Sequence, residues 1–174
     1  MNFIRKYIFY MDKVSDRTGK IASWIIVPLV LGTVYDVVMR YFFQAPTVWA
    51  YEMTWMEYGA LFMLGGGYAL LHKLHVRVDV LFKSYPEKAK LWFDVILYMV
   101  VFIPLFIILI ISSIDFAKEA IACWEVSSNS VWQPYIWPIK TLIPVAFILM
   151  LLQGIAEVFK ILKELNVLRG GDAI

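Results

Sequence analysis

Residues 91–114 read LWFDVILYMVVFIPLFIILIISSI, and from Val95 to Ile114 no charge appears. A bilayer's hydrocarbon core is about 30 Å thick and takes roughly 20 helical residues to cross. In lipid every backbone N–H and C=O must be satisfied inside the protein, so a run of this length is a helix and not the roughly ten-residue strand of a barrel. Three further runs of similar length flank it. One covers 21–40, interrupted by Asp36 and ending at Arg40. Another covers 48–71, with Glu52 and Glu57 in its first half and Gly65, Gly66 and Gly67 in its second. The last covers 136–159, opening with Trp137, Pro138 and Lys140 and closing near Glu157. The predicted fold is an all-α integral membrane domain over residues 1–174, with four transmembrane helices at about these positions.

Composition says the same. Of 174 residues 61% are hydrophobic, 17% aromatic and 17% charged, against about a quarter charged in a soluble domain. With a mean hydropathy of +0.72 the chain cannot supply the polar exterior that water demands. A single cysteine, Cys123, excludes an intrachain disulfide and any multi-cysteine metal site. The net charge of +2 carries little meaning, since position outweighs sum in a membrane protein. Nucleic-acid binding is not suggested. The first run is not read as a cleaved secretory signal, because its charged lead-in is long and no small-residue cleavage site follows.

The basic residues set an orientation. Arg5, Lys6, Lys13, Arg17 and Lys20 precede the first span; Lys73, Arg77, Lys83, Lys88 and Lys90 lie between the second and third; Lys160, Lys163 and Arg169 follow the fourth. Only Arg40, Lys118 and Lys140 fall on the other side. The positive-inside rule then places both ends and the second connection in the cytoplasm, an alternation that four spans satisfy. In residues 2–18, Phe3, Ile4, Tyr7, Ile8, Met11 and Val14 recur at helical spacing among Arg5, Lys6, Asp12, Lys13 and Asp16. Residues 1–20 therefore read as an amphipathic helix on the cytoplasmic lipid surface, most simply a lead-in that sets the angle of the first span. Pro28, Pro104 and Pro144 fall inside spans and are expected to bend them gently.

Between the second and third spans, His75, Arg77 and Asp79 alternate with Val76, Val78 and Val80, a period of two that suits an extended stretch. Ser84, Pro86 and Glu87 then have the spacing of a helix start. The outer connection, read as Ser113 to Tyr135, carries Asp115, Glu119 and Glu125, with Trp124, Trp132, Pro134, Tyr135 and Trp137 toward its end. Most of these aromatics fit an interfacial belt, yet an acidic, aromatic-rich outer loop also suits the landing of a soluble protein.

Ionisable residues in spans are functional candidates. Asp36 and Arg40, four apart, share a helix face and can pair with each other or with Glu52. Glu52 and Glu57 are five apart, about 140° around a helix, so they form no paired-carboxylate site. Glu52 is expected near the interface, where its charge costs little, and Glu57 deeper, facing another helix as a structural clasp. His72 and His75 lie together and not on facing helices, which disfavours haem ligation. No nucleophile set, metal cluster or phosphate loop can be assembled, so no enzyme activity and no cofactor are expected. The glycine triplet suits close helix approach.

The chain resembles the small membrane subunit, the DctQ type, of tripartite ATP-independent periplasmic (TRAP) transporters. The likeness rests on Arg40-Tyr41-Phe42-Phe43 followed by Pro46, Trp49 and Glu52; on the glycine-rich end of the second span leading into His75-Val76-Arg77-Val78-Asp79; and on Ser130, Trp132, Pro134, Trp137, Pro138 and Lys140 before the fourth. The resemblance implies a bacterial inner-membrane scaffold in a sodium-coupled importer of organic acids. Its implied partners are a large membrane subunit (M-type), which carries the transport sites, and a periplasmic substrate-binding protein (P-type), both acting at the lipid bilayer. Arg40, Glu52, Glu57, His75, Arg77, Asp79, Glu119, Glu125, Trp132, Pro134 and Trp137 are the partner-facing or structural candidates. A competing class is a self-sufficient proton-coupled carrier acting as a dimer through Glu57; a membrane anchor for a redox enzyme is a third.

Overall fold

The computed structural model describes residues 3–72, 74 and 86–168. Among them lie α1 (Phe3–Ser23), α2 (Ile26–Phe42), α3 (Ala50–Leu71), α4 (Glu87–Leu97), a π-helical turn (Tyr98–Phe102), α5 (Ile103–Ala122) and α6 (Trp137–Leu168). The predicted stretch around His75, Arg77 and Asp79, and Ser84 of the predicted helix start, lie outside the described residues. Helix α4 does begin at Glu87, directly after an extended Pro86.

Three helical stretches of the described residues are long and apolar enough to cross a membrane: Phe3–Phe42, Lys88–Ala122 and Trp137–Asn166. Helix α3, at the second predicted span, has 22 residues and so reaches about 33 Å. Glu52, Glu57 and the glycine triplet make it less apolar than the other three.

The helices pack side by side. Asp36 near the end of α2 bonds Thr47 just before α3, while Thr33 meets Thr54 at 3.5 Å, so α2 and α3 are antiparallel. Gly59 lies against Ile139 and Gly66 against Met150, which makes α3 and α6 run in the same direction. Phe116 meets Lys140, Phe106 meets Phe147 and Phe102 meets Gly154, so α5 is antiparallel to α6. The end of the bundle holding the 43–49 and 123–136 connections is called the outer end below. Helix α1 lies across α3 and α6 near the opposite, inner end. Its approach needs a missing side chain, since a β-carbon on Gly19 would collide with the Tyr68 ring.

Each proline leaves a different mark. Pro28 removes the N–H that would bond Trp24, and the chain breaks at Trp24–Ile25, where Trp24 and Ile25 bond back three residues to Ile21 (3.1 Å) and Ala22 (2.9 Å). Pro104 follows the π turn, whose wider ring makes room for the proline against the preceding turn. Pro144 sits inside an α6 that continues through it.

Two boundaries differ from the sequence reading. Helix α6 runs to Leu168 because Ile161, Leu162 and Leu165 continue its apolar face onto Leu91, Val95 and Tyr98. Helix α5 runs to Ala122, with Ala117 and Ala120 buried, so the outer connection is shorter than the predicted Ser113–Tyr135. What remains is a compact loop.

Candidate functional site: polar clasps at the two ends of the bundle

The outer clasp is built on Asp36, Glu52 and Glu125. Asp36 accepts the Arg40 guanidinium at 2.6 Å and the Thr47 backbone N–H at 3.0 Å, and its oxygen also takes the Thr47 hydroxyl. One carboxylate thereby closes the connection from α2 to α3, and Tyr35 stacks on Trp49 beside it. Arg40 pairs with Asp36 and not with Glu52.

Glu52 is enclosed by the chain itself, 0% exposed, so its charge is not left to water at little cost as the sequence reading expects. Its two oxygens accept the Ser127 hydroxyl and the Trp55 indole N–H, each at 2.6 Å. Its place in the first turn of α3 also sets the carboxylate against the positive end of the helix dipole. A buried carboxylate is tolerable only with such donors. Ser127 in turn accepts the Asn129 N–H (3.2 Å) and donates its own N–H to the Pro134 carbonyl (2.8 Å). The loop closes through this bond, through Ile136 N–H to Glu125 O (2.9 Å) and through the Val126–Tyr135 bridge. Glu52 is therefore the floor on which the outer loop sits.

Glu125 pairs with Lys140, whose ammonium also lies 4.0 Å from the Phe116 ring centre. Its charge is used inside the chain. Glu119 forms no ion pair with any described residue. Trp124 ends α5 in a left-handed conformation (φ 49°) with Glu125 N–H bonding Ala120 O at 3.0 Å, a helix stop that usually takes glycine. Trp124 is held there by edge contacts to Tyr135 and Trp137. The Trp137 indole N–H is buried without a partner among the described residues. Pro134 is part of the loop closure, while Trp132 is exposed and Val131, at the tip, is 91% exposed.

The inner clasp was missed by sequence reasoning. Gln153 of α6 is 0% exposed. Its amide oxygen accepts Ser15 Oγ (2.8 Å), and its nitrogen donates to Asp12 (3.0 Å) and Glu157 (3.2 Å). Lys160 then bonds Asp12 at 2.7 Å and Glu157 at 2.6 Å. Tyr7 adds a bond to the Leu152 carbonyl (2.9 Å) and an edge contact to Phe159. Two carboxylates, an ammonium and an amide thus fasten α1 to α6. The available signal was Gln153 itself, an amide in the middle of an apolar run.

Glu57 is half-buried and bonds no described residue. It is brought to neither clasp. Among the described residues no group of three or more His, Cys, Asp or Glu side chains is placed to hold a metal ion, and Cys123 is free and exposed.

The cations divide by side. At the outer end Arg40, Lys118 and Lys140 are all in ion pairs. Arg5, Lys6, Lys13, Arg17, Lys88, Lys90 and Lys163, at the inner end, pair with no described residue. Among the described residues, uncompensated positive charge is confined to one end of the bundle.

The chain matches the model of the DctQ component of tripartite ATP-independent periplasmic transporters over residues 29–164, from early α2 to late α6. A comparison with curated proteins finds no match. With a match across most of its length, this membrane protein belongs to the DctQ family of TRAP transporters.

Proposed function

We propose that the chain is the small scaffold subunit of a sodium-coupled TRAP importer of organic acids. In this reading α2, α3, α4–α5 and α6 are four spans of a bacterial inner-membrane protein with both ends cytoplasmic. That the free cations among the described residues lie at the inner end supports that orientation. The subunit braces the large transport subunit and contributes to the surface where the periplasmic binding protein docks. His75, Arg77 and Asp79 then lie on the cytoplasmic side, and the outer loop with Trp132 and Glu119 faces the periplasm.

The observation that carries this reading is helix α2. It is apolar, and none of its residues is buried by the rest of the chain. Such a helix is stable only when lipid or another subunit covers it. Asp36, Glu52 and Glu157 are meanwhile tied up in fixed clasps, which suits a rigid frame better than a moving carrier. Glu57 is the exception, and in a scaffold its carboxyl is satisfied by a donor from the large subunit. The same feature is what the rival reading, a proton-coupled carrier, would use.

Uptake into proteoliposomes carrying a sodium gradient separates the two. Substrate accumulates only when the large subunit and the binding protein are both present with this chain. Accumulation by this chain alone overturns the scaffold reading, and its loss in Glu57→Gln would then assign the carrier.

A further inference from the structure

Helix α1 has three faces. Taking Ser15, buried against α6, as the reference and turning 100° per residue, the bundle side holds Ile8, Met11, Ser15, Gly19 and Ala22. At about 140–200° lie Lys6, Lys13, Arg17 and Lys20, and at about 220–260° lie Phe3, Tyr10, Val14 and Ile21. All eight of these outward side chains are exposed. The cationic stripe and the apolar flank adjoin along the whole helix, which at 21 residues is about 31 Å long.

The stripe is unneutralised. Lys20 pairs with Asp16, but Lys6, Lys13 and Arg17 form no ion pair with any described residue, and Lys13 only caps the Phe9 ring at 5.8 Å. Its height is fixed by its neighbours. Only Trp24 and Ile25 separate α1 from α2, a membrane-crossing helix, and the inner clasp pins the other side of α1 to α6. The stripe therefore stays at the edge of the hydrocarbon, where the apolar flank meets acyl chains and the cations meet what lies just above.

We infer that the Lys6–Lys13–Arg17 stripe of α1 is a binding surface for anionic phospholipid headgroups. Two phosphate-rich sources have this chemistry, soluble polyanions and lipid, and the adjoining apolar flank commits the surface to lipid. A face that bound an acidic protein would not need Phe3, Tyr10 and Ile21 turned to the same side. The inference is independent of which substrate or subunit the transporter uses.

The test is a titration of the purified full chain in mixed micelles with phosphatidylglycerol or phosphatidylcholine, read by thermal midpoint at low and high salt. Phosphatidylglycerol should raise the midpoint more than phosphatidylcholine, and salt should erase the difference. In Lys6→Gln/Lys13→Gln/Arg17→Gln the apparent affinity for phosphatidylglycerol should fall on the order of a hundredfold, about fivefold for each basic residue. The midpoint in phosphatidylcholine should not change, because these side chains hold nothing inside the protein, and Lys6→Arg/Lys13→Arg should retain binding. Equal response to both lipids in the wild-type chain overturns the inference. So does a triple variant that keeps the phosphatidylglycerol preference, or one whose sole defect is loss of co-purification with a large subunit.

Discussion

At the residue scale the chain invests its buried polarity in a few side chains, and Glu52 is the most consequential. Replacing it with alanine removes the acceptor for Ser127 and Trp55 together and costs about 3 kcal/mol, since each bond to a charged group is worth roughly 1.5–3 kcal/mol and part is recovered by water. Glutamine keeps one good acceptor and should cost about half as much. Hydrogen exchange locates the effect: the Ser127 and Asn129 amides should lose protection in Glu52→Ala, with the α6 amides unaffected. Unchanged exchange in the loop would show that the backbone bonds to Pro134 and Glu125 hold it unaided. None of this was legible at Glu52 in the sequence. Three residues into a helix, a glutamate looks like an ordinary interfacial charge, and its burial depends on a loop 75 residues away that folds over it. Gln153 was hidden for a similar reason, because its partners Asp12 and Ser15 belong to a segment that reads as peripheral.

At the element scale, periodicity and breakers located the helices, and long-range contacts set their ends. The run at 91–114 became a longer helix because Ala117 and Ala120 are small enough to stay against α6 beyond the apolar stretch. Helix α6 likewise outlasts its hydrophobic run by packing on α4. Shortening the outer loop in this way moves the candidate docking charges onto firmer ground. Glu119 sits on the last turn of α5 with its charge free, whereas Glu125 is committed to Lys140. Charge reversal at Glu119 should therefore weaken capture of the binding protein, with the defect fading as ionic strength rises past the point where the Debye length falls below about 8 Å. Reversal at Glu125 should instead lower thermal stability at every salt concentration, because it sets two cations against one another over the Phe116 ring. Binding measured by surface immobilisation, paired with melting curves, distinguishes the two; similar behaviour of both variants would contradict the assignment.

At the scale of the whole molecule, hydropathy made the membrane character readable before any coordinate, and charge asymmetry supplied the orientation proposed above. The asymmetry sharpens in three dimensions, since the few outer cations prove to be paired and the inner ones largely free. Topology can be checked by cysteine labelling in a Cys123→Ser background. Ser15 is a poor probe because it is only 5% exposed, so Lys13→Cys and Val131→Cys serve better. A membrane-impermeant maleimide added to intact spheroplasts should label position 131 and spare position 13, and the reverse pattern would invert the orientation. The inner clasp has a consequence for how such a molecule is made. It joins Tyr7, Asp12 and Ser15 to residues 138 to 148 positions later, so during synthesis α1 emerges with these groups unmatched, and they stay so until α6 is in place. Closure of that clasp therefore waits for α6. A chain that stops before Gln153 still packs α1 on α3, but leaves Asp12 and Ser15 without the bonds that fasten them to α6.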